Sequence, residues 1–341
     1  MSISTTEPNA YFVENWDTEG LVLYLQAQGL KLDNEDFAII RKEKINGLSF
    51  LDMTEEKFRN IGLALGPATL LAKEVKVLKD NTKRAYSSYR TLNDFKAVLA
   101  KYGIISGDIT RIPQFTPVTF KIGEDNPAFK FCVEDILRRI KNMGPVVDTN
   151  EAMQCEYFST ILHASVSLLE GLVISPQANI VGEENTDRVD YAIKKIINEM
   201  LEEIICITQG KQNQATMGIC QNLVQCRSAC DMNLDMIKKK RKVDEVFEAG
   251  YDYVYGIVST GTDWYFILHT TDAIYCTSKT EYRISLTEAV LEDDTELRKS
   301  VKRILEVIVG LLKDRLSASD EPATKKRCVQ EKISRAGMAK K

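Results

Sequence analysis

Histidine is almost absent from this 341-residue chain, which has only His163 and His269. Its eight cysteines (132, 155, 206, 220, 226, 230, 276, 328) include no Cys-x-x-Cys pair. A zinc centre is therefore not expected, and the thiols should be reduced and mostly buried. That pattern suits an intracellular protein of the cytoplasm or nucleus. No apolar run reaches the ~18 residues that a membrane helix needs, so no membrane partner is expected. The opening MSISTTEP has neither the basic nor the apolar region of a secretory leader. A basic surplus is missing too: 45 Lys and Arg stand against 49 Asp and Glu, a net charge of −4. Proteins that live on phosphate backbones usually carry such a surplus, so nucleic-acid contact must rest on a local patch or be absent. What remains is an ordinary globular composition, 44% hydrophobic and 28% charged, on a chain long enough for two domains with linkers.

Residues 12–79 carry the signals of short helices. Asn15, Asp17 and Thr18 surround Trp16, and Leu21, Leu23, Leu25 and Leu30 follow. Asp33 to Ile40 forms a second helix, and Ile45-Asn46-Gly47 is a turn before Phe50 and Leu51. Thr54-Glu55-Glu56 caps a further helix through Ile61, since a hydroxyl followed by carboxylates suits a helix N-terminus. Gly62 stops it, and Pro67 begins a last helix with Leu70, Leu71, Val75 and Leu78. Leu51, Phe58 and Leu71 are expected in the core. The run from Lys44 to Phe58 (KINGLSFLDMTEEKF), with Ile61-Gly-Leu and Gly66-Pro, resembles the sterile alpha motif (SAM) domain, an all-α five-helix bundle. That resemblance implies docking to other SAM domains or to itself. Asp33, Glu35 and Asp36 would offer an acidic face, and Lys73 and Lys76 a basic one.

Residues 80–147 read as a linker containing helices, one over Leu92–Tyr102 and one over 129–142. Phe131, Val133, Ile136, Leu137 and Ile140 share a face of the second. A second domain is expected over 148–316. Asp148 and Glu151 begin a helix through Leu169. Strands follow at 172–180, 189–195 and 204–209, then a helix at 216–229. A hairpin at 254–260 and 264–270 precedes a long closing helix through Leu312. The stretch Ile193, Ile196, Ile197, Met200, Leu201, Ile204 fits helical spacing better than strand spacing, and periodicity alone does not arbitrate. The polar tail 317–341 is expected to be disordered.

Within this domain, Asp190 precedes Ile204-Ile-Cys-Ile-Thr-Gln-Gly-Lys211. A strand has a period of two, so Gln209 and Lys211 project from one face. Together with the order helix, three strands, helix, strand, this resembles the PD-(D/E)xK hairpin of restriction-endonuclease-like nucleases, with an αβββαβ core. The resemblance implies Mg²⁺-dependent phosphodiester hydrolysis with Asp190, Gln209 and Lys211 as catalytic residues. Glu151, Asp190 and Gln209 would be the metal ligands, with Gln209 where a second carboxylate belongs. Mrr-type nucleases carry Gln there as well. At about 100° per residue, Glu151 falls on the apolar side of its helix and Glu156 on the solvent side. Gln221 and Gln225, one turn apart, stand where the resemblance implies a polar residue that contacts the backbone phosphate or a site residue; the plain alternative is two exposed glutamines. Tyr255–Phe266 (YGIVSTGTDWYF) and Val307–Lys313 (VIVGLLK) also resemble Crinkler-type nuclease-like C-terminal domains.

Lys238–Val243 (KKKRKV) resembles a nuclear localisation signal, with Lys325-Lys-Arg327 as a weaker second. The same run reads equally as a solvated loop, or as a phosphate-contact patch through Lys239, Lys240 and Arg241. Two functions stay open on these residues. One is a SAM-docked nuclease acting on nucleic acid. The other is a catalytically decayed nuclease fold that serves as a binding scaffold for protein or nucleic acid.

Overall fold

Side chains that cap their own helices organise the N-terminal part of the chain. The computed structural model describes residues 13, 16–80, 83–145, 151–198, 201–210, 214–240, 252–318 and 322–338. They fall into two units, Met1–Arg84 and Ala85–Lys341.

The first unit contains the helices α1 (Thr18–Ala27), α2 (Asn34–Lys42), α3 (Gly47–Leu51), α4 (Glu55–Asn60) and α5 (Leu65–Asp80). Asp17 caps α1, Thr54 caps α4, and Asp33 and Asn46 close reciprocal capping boxes with Asp36 and Ser49. Leu21, Leu25, Phe50, Leu51, Phe58 and Leu71 form the core. Gly47 is required because a Cβ there would lie 1.5 Å from the Val13 carbonyl oxygen. The structure departs from expectation at three points. Leu23 is 65% exposed, because Leu21, Val22 and Leu25 take the buried stripe of α1. The last helix starts at Leu65, which places Pro67 within its first turn, where no amide donor is needed. Asp36 is buried, its carboxylate accepting the Asp33 amide at 3.0 Å, so the acidic face is smaller than the sequence implied.

The second unit is a three-layer α/β arrangement. Helices α6 (Leu92–Ala100), α7 (Pro127–Met143) and α8 (Glu151–Ser167) precede β1 (Leu172–Val181), β2 (Thr186–Asn198) and β3 (Leu201–Gly210). Helix α9 (Ala215–Lys240) then leads to β4 (Tyr253–Ser259), β5 (Trp264–Thr270) and β6 (Ile274–Cys276), and α10 (Thr295–Ser317) and α11 (Pro322–Met338) close the chain. The sheet order is β1-β2-β3-β4-β5-β6, with β3 and β4 parallel and the other neighbours antiparallel. The parallel pair needs a crossover, and α9 supplies it. One face of the sheet packs on α6 and α9 through Phe95, Leu99, Cys220 and Leu223. The other packs on α7, α8 and α10 through Ile136, Phe158, Leu162, Ile304 and Ile308. Buried on both sides, β3 is apolar throughout its middle.

Several expectations are corrected here. Of the stretch left open between helix and strand, residues 193–198 and 201–204 lie in two antiparallel strands. Ile193 pairs with Cys206 and Lys194 with Ile204, leaving Ile205 as a bulge. The hairpin and the bulge together mimic helical spacing. Residues 85–145 are not a linker: Tyr86, Tyr89, Phe95, Val98 and Leu99 enter the α9-side core, and α7 enters the other. Phe131 is 66% exposed, because Phe129, Cys132, Val133, Ile136 and Ile140 form the stripe. The tail expected to be disordered contains α11, with Lys325 and Val329 buried.

Lys325 enters a charge cluster of four side chains, each at most 3% exposed. Its Nζ lies 2.7 Å from Asp252 and 3.2 Å from Glu203, and Arg315 of α10 reaches the same two carboxylates. Asn233 of α9 donates to Asp252 at 2.8 Å. Burial alone would raise the Glu203 pKa, but the charges of Arg315 and Lys325 outweigh it and hold it below the ordinary value. Removing one member of a buried ion cluster costs about 3–5 kcal/mol. Lys325→Met is therefore expected to lower the urea midpoint strongly, with partial recovery on adding Glu203→Gln. An unchanged midpoint for Lys325→Met would show that α11 does not dock there.

His269 on β5 is fully buried, with Nε2 2.7 Å from the Tyr102 hydroxyl and Nδ1 3.7 Å from Cys230 Sγ. Burial, followed by the nearby Arg227 charge, pushes its pKa down to about 3 from 6.5. The unfolded chain then takes up a proton below about pH 6.5 that the folded chain refuses. Stability from this group is full above that pH and falls by about 1.4 kcal/mol per unit towards pH 3. Nitrogen-15 NMR of the two imidazoles should show His269 still neutral at pH 4.5, and titration near 6.5 would contradict its burial.

Candidate functional site

Backbone pairing brings Asp190 and Gln209 to the C-terminal end of β3. Gly210 pairs with Ser259 of β4, and Ser259 with Trp264 of β5, forming a row across the sheet. Asp190 on β2 directly precedes Tyr191, which pairs with Thr208. Its Oδ2 accepts the Gly210 N–H at 2.7 Å, tying the two strands together at this corner. Helix α8 covers the row. A Cβ at Gly210 would lie 3.1 Å from Cys155 Sγ, so a larger residue would push on the helix. Phe158 packs against Tyr191 and Trp264 with ring centroids 6.0 and 5.1 Å apart. The Tyr191 hydroxyl is pushed up first by burial and then by Cys155, with Asp190 adding to it.

Gln209 turns toward the α9 layer. It is 6% exposed, its Oε1 accepts from Gln225 Nε2 at 2.6 Å, and its Nε2 donates to the Gly210 carbonyl at 3.2 Å. Gln225 is buried, and its Oε1 has no hydrogen-bond partner among the described residues. Gln221, also buried, donates to the Tyr89 carbonyl at 3.0 Å. Neither glutamine is a surface residue, and neither presents an amide to a phosphate backbone. Their polar type suggested exposure, but their partners lie far away in sequence.

Asp190 and Gln209 thus both bond the main chain of Gly210, Asp190 at its amide and Gln209 at its carbonyl. Lys211 and Arg241, with the side chains of Glu151, Lys239 and Lys240, lie outside the described residues. The main chain of Glu151 opens α8 one turn before Cys155. Glu156 pairs with Arg139 of α7. Two residues that the sequence reading missed belong here. Gln154 of α8 is 3% exposed with Oε1 unpartnered among the described residues, and the Trp264 indole N–H is likewise buried without an acceptor. The spacing of Gln154 and Phe158, one turn apart on one helix face, was the available signal.

Among the described residues, no three His, Cys, Asp or Glu side chains gather as a metal site. The corner offers the oxygen donors that a hard divalent cation takes, the Asp190 carboxylate and the amide oxygens of Gln209 and Gln225, beside the Cys155 thiol. They bring a single negative charge, so the donor chemistry suits Mg²⁺ and holds it weakly.

Comparison with known proteins bears on both units. Residues 1–77 match a family described as a SAM-like domain. Over 244 residues, 70% of this chain, the sequence is 24% identical to Crinkler effector protein 1 of Rhizophagus irregularis. The matched region is 48% of that relative, so the chain spans about half of its length.

The Gln209–Gln225 pair carries a test of its own. Leaving a buried amide without its partner costs about 1–3 kcal/mol, whereas replacing both partners by apolar groups is nearly neutral. Gln225→Leu should lower the urea midpoint, and Gln209→Met with Gln225→Leu should restore most of it. Additive losses would mean that the two amides are not coupled.

Proposed function

We propose that this chain joins a SAM-like docking unit to a restriction-endonuclease-like unit that hydrolyses nucleic-acid phosphodiesters at the Asp190–Gly210 corner. The observation that carries the reading is the 2.7 Å bond from the Gly210 amide to Asp190. It sets the carboxylate beside the chain position immediately before Lys211. The order helix, three antiparallel strands, crossover helix and parallel strand supports the same reading, as does the likeness to Crinkler effector protein 1.

In this reading Asp190 and Gln209, with Glu151 from the start of α8, hold Mg²⁺. Bound there, the cation would supply water activation and charge stabilisation at the phosphate. Gly210 orients Asp190 by donating to one of its oxygens, and Gln225 fixes the Gln209 amide in one rotamer. Lys211 offsets the negative charge that builds on the phosphate. Helix α8, with Phe158 and Cys155 over the row, keeps bulk water from the inner side of the corner. The SAM-like unit docks self or another SAM domain, using Glu35 on the acidic side and Lys73 and Lys76 on the basic side. The protein acts inside the cell, in the cytoplasm or the nucleus.

A second reading has an observation of its own. Because Gln209 is neutral and committed to Gln225, the corner fits a decayed nuclease fold that serves as a binding scaffold. Incubating the full chain with supercoiled plasmid and single-stranded RNA in Mg²⁺ separates the two. Cleavage should occur, and should be lost in folded Asp190→Asn and Lys211→Ala. Gln209→Glu restores charge at a ligand position and should tighten Mg²⁺ binding severalfold by calorimetry. No cleavage by either the native chain or Gln209→Glu would leave the scaffold reading.

A further inference from the structure

A cationic groove lies along the first half of α10, outside the predicted site. Its outer wall is the extended segment 118–124, which is pinned to the helix. The Phe120 amide donates to the Glu306 carbonyl at 2.8 Å, and the Ile122 amide to the Glu306 carboxylate at 3.1 Å. Gly310 allows this approach, since a Cβ there would lie 2.0 Å from the Val118 carbonyl oxygen. Between segment and helix is a groove of about 560 Å³, lined by Lys121, Arg298, Lys299, Lys302 and Arg303 against Glu124 and Glu306. Five cations line it, four of them paired with the carboxylates of Glu306, Asp294, Glu296 and Glu124, on a chain whose net charge is −4.

The place of this groove in the fold gives it meaning. The row Gly210–Ser259–Trp264 continues to Tyr282, whose carbonyl accepts the Trp264 amide at 2.8 Å. The Arg303 guanidinium stacks over the Tyr282 ring, 4.6 Å from its centroid. With strands about 4.8 Å apart, the corner and the Tyr282 main chain are three strand spacings apart, roughly 14 Å, and the groove begins beyond the Tyr282 ring. That is a few nucleotides of backbone.

The cations are not locked away. Lys121 is 3.3 Å from Glu306, Lys299 is 3.7 Å from Glu296, and these lysine side chains are 86% and 77% exposed. With their ammonium ends in solvent, these lysines exchange readily for a phosphate. Arg298 is held by Asp294 at 2.8 Å and Lys302 by Glu124, which fixes the floor.

We infer that this groove binds the phosphate backbone of a nucleic acid and leads it to the Asp190–Gly210 corner. The inference rests on the nuclease reading for its destination, but binding itself is tested without catalysis. An acidic protein segment is the competing occupant. The shared row of the sheet favours nucleic acid, because it joins the groove to the corner.

The test is fluorescence anisotropy of a labelled 30-base-pair DNA and a labelled 30-nucleotide RNA with the full chain in EDTA, over a range of salt. The native chain should bind at least one of them, with affinity falling steeply as salt rises. Lys121→Glu with Lys299→Glu, both at exposed positions, should weaken binding at least tenfold and reduce the log–log salt slope by about two. Because binding is read in EDTA, a native chain that binds but does not cleave when Mg²⁺ is supplied would count against the nuclease reading and not against the groove. The inference is overturned if neither nucleic acid binds, if the double variant binds as the native chain does, or if polyglutamate of matched charge binds more tightly than both.

Discussion

Two carboxylates and two cations, all out of water, hold the second unit in register. Glu203 sits near the start of β3, Asp252 immediately before β4, Arg315 in the last turn of α10 and Lys325 in the first turn of α11. Each charge would be costly alone in this interior. Together they neutralise one another, with Asn233 of α9 donating to Asp252 and binding the main chain of Ile204. The cluster therefore fixes where β3 enters the sheet relative to the helices on both faces. Above it, Tyr253 and Tyr255 both donate to Asp314 at 2.8 Å, extending the polar seam along β4.

The consequence is felt at the opposite end of the same strand. With Glu203 anchored and Ile205 absorbed as a bulge, the remainder of β3 delivers Gln209 toward α9 and Gly210 beneath α8. A slip of one residue would exchange these faces. It would put a side chain under Cys155 and remove the amide that Asp190 accepts. The chemistry proposed for the corner thus depends on ion pairs at the far end of β3.

The sequence was most legible where structure is local. The caps Asp17, Asp33, Asn46 and Thr54 act on amides two or three residues away, so the helices of the first unit could be read directly. The strands of the hairpin around Gly261 and the apolar run of β3 were equally plain. Legibility failed where burial depends on distant partners. Lys325 looked like part of a polar tail because Asp252 and Glu203 lie 73 and 122 residues earlier. Gln221 looked exposed because its acceptor, the Tyr89 carbonyl, is 132 residues away in a segment that resembled a linker. Around the corner, Asp190 and Gln209 were found from the pairing of two strands, while Gln154, Cys155 and Trp264 enter only through packing between layers.

The central claim is that the oxygens around Gly210 hold a divalent cation. Crystals of the full chain soaked in Mn²⁺ and measured at the manganese absorption edge address it most directly. An anomalous peak about 2.1 Å from Asp190 and Gln209 oxygens is expected. A map with no peak at this corner, at Mn²⁺ concentrations that fill ordinary carboxylate sites, would contradict the account.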